Sequence, residues 1–210
     1  MSGLAVRLLI FVPALAASAA VAAQGNAGCD VLSVDSGPFS LDGKTNLTHF
    51  VRPIITQCNL KIEADEALST SIEFGEHSEW TLTGHVRITT EGKSMLADSA
   101  VFTFEKNQLS RAELAGSPTS FTASRAEPGK EPVHGSANKI VFDNVAQTLR
   151  MSQDVVITRD RFRAQGCDVI YDFKSEDMRS GNAECGGERF VIRVVNAQPQ
   201  PNAAPPAAPP

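Results

Sequence analysis

The sequence predicts an all-β fold of antiparallel strands, on three observations. Apolar residues recur with a period of two rather than 3.6. Gly, Asn, Asp or Ser bounds each such run. Beyond the N-terminal stretch, no twelve-residue window carries a helical apolar stripe. The nearest, SRAELAG at 110–116, is too short and lacks caps.

In chain order, the first 23 residues stand apart. Arg7 precedes the apolar run LLIFVPALAASAAVAA, which is short for a bilayer span, broken by Pro13 and closed by small residues. This is the pattern of a secretory signal peptide (residues 1–23) cleaved after Ala23, with an uncleaved anchor as the alternative. At the other end, AQPQPNAAPPAAPP holds half of the prolines and no charge. Residues 196–210 are therefore expected to be a disordered Pro/Ala-rich tail. One folded domain remains, residues 24–195.

Between these ends the strands follow one another. NLTHFVRPIITQCNLKIEAD (46–65) is the first, degenerate copy of a repeating unit. EWTLTGHVRITT then sets Trp80, Leu82, Val86 and Ile88 on one face, with Gly84 between. DSAVFTFE aligns Ala100, Phe102 and Phe104, and NKIVFDN aligns Ile140 and Phe142. TLRMSQDVVIT aligns Leu149 and Met151, then Val155 and Ile157. GCDVIYDF puts Val169 and Tyr171 in phase, and RFVIRVV does so for Phe190, Ile192 and Val194. Trp80–Phe102 matches Leu149–Ile170 at an offset near 69.

A small–polar motif punctuates the series. IEADEAL (62–68) returns as LADSAVF (96–102), and more loosely in HGSANKIVF and RAQGCDVIY. Repetition in a strand-only chain predicts stacked hairpin layers. The motif marks the bends: Ala64, Ala97 and Gly135 allow close backbone approach, and Asp65, Asp98 and Ser136 bond nearby amides.

The four cysteines, Cys29, Cys58, Cys167 and Cys185, form no CxxC or zinc spacing. In an exported protein they predict two disulfides, with three connectivities open. Cys29–Cys58 with Cys167–Cys185 is favoured because each closes a local loop, stabilising by about 2–4 kcal/mol.

Composition excludes several functions. The net charge is −5, and −6 without Arg7, with no Lys/Arg run, so nucleic acid is not the partner. His49, His77, His85 and His134 have no metal-ligand spacing. No nucleophile elbow, phosphate loop or triad signature is present, and Glu63/Asp65 reads as turn chemistry. Neither an enzyme nor a cofactor is expected.

From Asn59 to Val195 the chain resembles the OstA-like family, periplasmic bridge proteins of lipopolysaccharide export. The resemblance rests on NLKIEADEAL, LTGHVRIT, MLADSAVFTF and the ordered series LAGSPTSF, GKEPVHGSANKIVFD, RMSQDVVI and IYDF. It implies a β-jelly roll with an apolar interior that binds the lipid A acyl chains of lipopolysaccharide. It also implies edge-strand pairing with an inner-membrane export complex component and an outer-membrane translocon, and head-to-tail self-association. Residues 29–58 precede the first matched strand as an atypical extension, and the cysteines are outside the family pattern. An inner-membrane-associated component of the same bridge is thus an alternative. A secreted jelly-roll module for polysaccharide or protein is another, disfavoured because one Trp and one Tyr make a poor sugar platform.

The apolar residues in phase with the repeat are the expected groove lining: Leu60, Ile62, Trp80, Leu82, Val86, Ile88, Met95, Phe102, Phe121, Ile140, Phe142, Met151 and Ile157. The resemblance implies interior positions for Leu60, Ile62, Phe121 and Phe142 in particular; taken singly, each reads equally as core. Arg159, Arg161 and Arg163 are placed on one strand face as candidate phosphate contacts, a charged outer face being the plainer role. Burying an acyl chain of about a dozen carbons is worth roughly 9 kcal/mol. Several fully buried chains would approach the ceiling of about 18–21 kcal/mol and never leave. A conduit therefore buries them incompletely. The expected partner sites are the sheet's ends, placed at Gln57–Asp65 and Arg189–Val195.

Overall fold

The structure is a computed structural model describing residues 31–70, 77–181 and 190–194. The signal segment, the Pro/Ala tail, Cys29, Cys185, Arg189 and Val195 lie outside the described residues. In chain order the strands are β1 (Ser33–Asp35), β2 (Phe39–Asp42), β3 (Leu47–Val51), β4 (Ile54–Gln57), β5 (Leu60–Glu63), β6 (Glu66–Ser69) and β7 (His77–Thr90). They continue with β8 (Lys93–Glu105), β9 (Gln108–Ala123), β10 (Val133–Asp143), β11 (Thr148–Arg159), β12 (Phe162–Asp172), β13 (Met178–Ser180) and β14 (Val191–Val194). All fourteen hydrogen-bond into one antiparallel sheet, and no helix occurs among the described residues.

The short strands are halves of longer passes. β5 pairs with the C-terminal part of β7, Ile62 opposite Ile88, and β6 with its N-terminal part, Ala67 opposite Leu82. β3 and β4 relate to β6 and β5 in the same way. From β7 to β12 each pass is one strand that loses register midway, between Thr83 and Val86, Leu96 and Ser99, Ala137 and Lys139, and Ser152 and Val155. The β8–β9 ladder slips a second time between Thr103 and Phe104. The midway irregularities form a row across the sheet. A bulge bends its strand and increases the twist, so a row of them folds the sheet along a corner into two leaves. Leaf one holds β1, β4, β5, β14 and the half-strands from Val86 to Gln165. Leaf two holds β2, β3, β6, β13 and the remaining halves.

The alternation records the corner. In β8 the buried residues are Met95 and Ala97, then Ala100, Phe102 and Phe104, so the period of two slips by one. In β10 they are Val133, Gly135 and Ala137, then Ile140 and Phe142. The small–polar motif sits at that slip. Ala64, Ala97 and Ala137 are buried inside the corner, where the leaves converge, with Cys167 in the corresponding place on β12. Asp65, Asp98 and Asn138, which follow these alanines, reach the neighbouring broken ladder, whereas Asp168, which follows Cys167, is buried. Asp65 Oδ2 lies 2.7 Å from His85 Nδ1, Asp98 Oδ2 accepts the Ser117 amide at 3.1 Å, and Asn138 Nδ2 donates to Asp154 Oδ2 at 2.7 Å. Asp168 takes both Arg150 Nε and Nη2 at 2.9 Å. Gly84–His85 and Gln153–Asp154, equivalent under the 69-residue offset, are both positive-φ pairs at the corner.

The hairpins stack side by side in one folded sheet, each strand long enough to cross both leaves. Three expectations change. The third bend falls at Ala137–Asn138, two residues beyond Gly135–Ser136, since the bulge shifts the phase. Gln57–Asp65 is not a sheet end: β4 pairs with β1 and β5, and β5 with β7, so β1 and β2 form that edge. Residues 33–57 thus complete the sheet. Finally, Phe190 packs inward against the core, whereas Ile192 and Val194 are exposed on edge strand β14.

Cys58 and Cys167 are each disulfide-bonded, and Cys29 and Cys185 lie outside the described residues.

Candidate functional site: the apolar interior and its mouth

Both leaves contribute to one interior. Ile62, Val86, Ile88, Met95, Phe121 and Ile157 come from leaf one, and Trp80, Leu82, Phe102, Ile140, Phe142 and Met151 from leaf two. Each of these is at most 2% exposed, and Leu60 packs against them half-buried. All thirteen expected lining residues therefore belong to one apolar body, with the inward faces packed together. Phe121 lies 6.1 Å from Tyr171 of the opposite leaf, and Phe173 meets Phe121, Phe142 and Tyr171 edge-on at 5.2–6.4 Å.

Among the described residues, two openings reach this body. At the N-terminal edge, a cavity of about 800 Å³ is lined by Leu32, Val34, Phe39, Thr48, Phe50 and Trp80, among others. An aromatic file leads inward from it: Phe39 stacks on Phe50 at 6.3 Å, and Phe50 on Trp80 at 5.3 Å. Phe39 is 66% exposed and Trp80 fully buried, so the file runs from solvent to core. Opposite the corner, where the free ends of the leaves meet, a slot of about 200 Å³ reaches Leu60, Leu109 and Phe142.

That mouth is fastened by polar side chains. Arg125 Nε donates to Glu176 Oε2 at 2.9 Å and the Ala126 amide to Glu176 Oε1 at 2.9 Å, while Arg159 Nη1 donates to the Glu176 carbonyl at 3.1 Å. Donation from the Ala126 amide, and next from the Arg125 side chain, holds the Glu176 carboxyl below the usual carboxylate range. Gln57 Nε2 donates to the Asn107 carbonyl, and Lys93 Nζ to Gln147 Oε1 at 3.2 Å. Strand ladders join the leaves at the corner, whereas these side-chain contacts span the mouth.

The arginines do not share a strand face. Asp160, with φ +52°, helps turn the chain there, so Arg159 ends β11, Arg161 occupies the turn and Arg163 lies on β12. Arg159 serves the mouth, while Arg161 and Arg163 are exposed. Sequence reasoning missed Lys93, Arg125, Gln147 and Glu176, which sit in or beside turns where no periodicity marks them. Among the described residues, no group of three or more His, Cys, Asp or Glu could hold a metal ion.

Residues 61–177, over half of the chain, match the family described as LptA/(LptD N-terminal domain) LPS transport protein. The fold is similar to that of LptH from Pseudomonas aeruginosa, described as the LptA homologous periplasmic component of the conserved lipopolysaccharide transport device. The TM-score is 0.53 at 12% identity, covering 79% of this chain and 96% of that one, a likeness of fold. No curated protein matches the chain. An all-β OstA-like jelly roll and the family match over its central strands agree: the chain belongs to the LptA/LptD N-terminal domain family of lipopolysaccharide transport proteins.

Proposed function

We propose that this chain is a periplasmic lipopolysaccharide-binding bridge protein that carries lipopolysaccharide from the inner to the outer membrane. One observation carries the reading: the passes from β3 to β12 add apolar side chains to a single interior that runs between two sheet edges unpaired among the described residues. Acyl chains enter between the leaves by displacing the polar contacts of the mouth and replacing apolar packing with apolar packing. The thirteen interior residues then become the lipid-binding surface, and the saccharide stays outside. Each methylene transferred contributes about 0.8 kcal/mol, so partial burial holds the lipid without trapping it. No chemical step is involved.

The edges are the partner sites. β2 exposes Phe39 and Leu41, and β14 exposes Val191, Ile192 and Val194, large apolar side chains on strands that pair on one side only among the described residues. Such edges template another strand, which suits an inner-membrane component at one end and an outer-membrane translocon at the other. Copies of this chain in head-to-tail array use the same edges. A photo-crosslinking residue at Phe121 or Phe142 should give lipopolysaccharide adducts, and one at Arg161 should not. Adducts at Arg161 with none at the inward positions would refute the interior route.

A further inference from the structure

Lys93 opens β8 at the free end of leaf one, and its side chain reaches the opposite leaf. Its Nζ donates to Gln147 Oε1 at 3.2 Å and sits 4.9 Å above the Phe173 ring. Most cations with a clear side-chain contact have a carboxylate: Arg125 has Glu176 and Asp160, Arg150 has Asp168, Lys61 has Glu63, and Lys139 has Glu113. Among the described residues, no carboxylate lies within 4 Å of Lys93. Burial holds its ammonium below the ordinary lysine range, against the smaller opposing effect of the Glu91 charge. A half-buried ammonium facing only a neutral amide and a ring face retains capacity for an anion.

What lies beside it completes the description. Thr90, opposite Lys93 in the β7–β8 hairpin, lines the slot at the mouth. Asn144, another lining residue, accepts from Gln147 Nε2 at both its carbonyl and its Oδ1. Lys93, Gln147 and Asn144 thus form a hydrogen-bonded rim, with the apolar floor of Leu60, Leu109 and Phe142 below. The cation asks for an anion and the floor for a hydrocarbon. One molecule bearing both, a few bonds apart, meets both demands.

We propose that Lys93 binds the phosphate of an acylated amphiphile whose chain enters the interior through the adjoining slot. This rests on the carrier reading above and names the group it recognises. Phosphate at Nζ competes with Gln147 Oε1, so loading releases a contact that fastens the leaves. A compact ammonium suits this role because it swings between partners.

The test measures binding by the purified protein of bisphosphorylated lipid A, the same lipid dephosphorylated, phosphatidylglycerol vesicles and inorganic phosphate. Wild type should prefer the phosphorylated lipid by about tenfold or more, the scale of one charge-assisted hydrogen bond. Lys93→Met, which keeps the stem over Phe173, should lose that preference, the ratio of its affinities for the two lipids falling to about one. Lys93→Arg should keep most of it and guards against misfolding of the first variant. Competition by phosphatidylglycerol with the same dependence on Lys93 assigns the site to phospholipids generally and supports the shared chemistry. A preference that survives in Lys93→Met overturns the proposal, as does inorganic phosphate binding as tightly as the lipid. Wild type that binds both lipid A forms equally overturns it alone. Wild type that binds neither overturns the carrier reading as well.

Discussion

The ring of Phe121 lies against the bare backbone of Gly135, its cross-strand partner between β9 and β10, where any Cβ would strike Cε1 of the ring. Phe121 cannot swing aside, because Tyr171 and Phe173 hold its other faces. Gly135→Ala should therefore destabilise the fold by about 1–3 kcal/mol, the usual cost of overpacking, in denaturant titration. Combined with Phe121→Leu the cost should shrink. An unchanged midpoint would show that the contact is absent in solution.

Asp168 has a fully buried side chain, balanced by two hydrogen bonds from Arg150 at 2.9 Å. Arg150→Met leaves that carboxylate unpaired and should cost about 1–3 kcal/mol. Lys61→Met breaks a more exposed pair with Glu63 and should cost under about 1 kcal/mol. Equal losses would contradict this ordering.

His85 is held above its ordinary value of 6.5, first by the hydrogen bond with Asp65 and then by its charge. A raised pKa contributes stability that is complete below the unfolded value and is lost as pH rises through the folded one. The effect is small, because the ring is 91% exposed. Proton NMR should place the His85 midpoint above 6.5, and Asp65→Asn should bring it back towards 6.5. A midpoint indifferent to Asp65 would remove this contact from the corner.

If β14 is a docking edge, Ile192→Lys with Val194→Lys should blunt it, as lysine does on natural sheet edges. Chemical crosslinking between copies should fall, while thermal stability should change little, since neither side chain is buried. Undiminished crosslinking would place the interface elsewhere.

Strand identity and the core were legible in the sequence, because inward β positions repeat every two residues. Trp80, Leu82, Phe102 and Ile140 follow from that period alone. The 69-residue repeat was legible as well, and it carries the same backbone irregularity at Gly84–His85 and Gln153–Asp154. The corner was only half legible. Ala64–Asp65 and Ala97–Asp98 were placed correctly, but the bulge in β10 moves the phase and Gly135 drew attention from Ala137. The N-terminal edge was not legible, since β1 and β2 are too short to show a period, whereas the edge at β14 falls within the expected Arg189–Val195 stretch. The mouth was not legible either: single turn residues such as Lys93 and Glu176 act there across space.

Trp80 offers the most direct measurement, being the sole tryptophan and fully buried below Phe50. Bromine quenches indole fluorescence only near contact. Lipopolysaccharide with brominated acyl chains should therefore quench Trp80 on binding, and the unbrominated lipid should not. Saturating binding that leaves Trp80 equally bright with both lipids would mean that the chains never enter between the leaves.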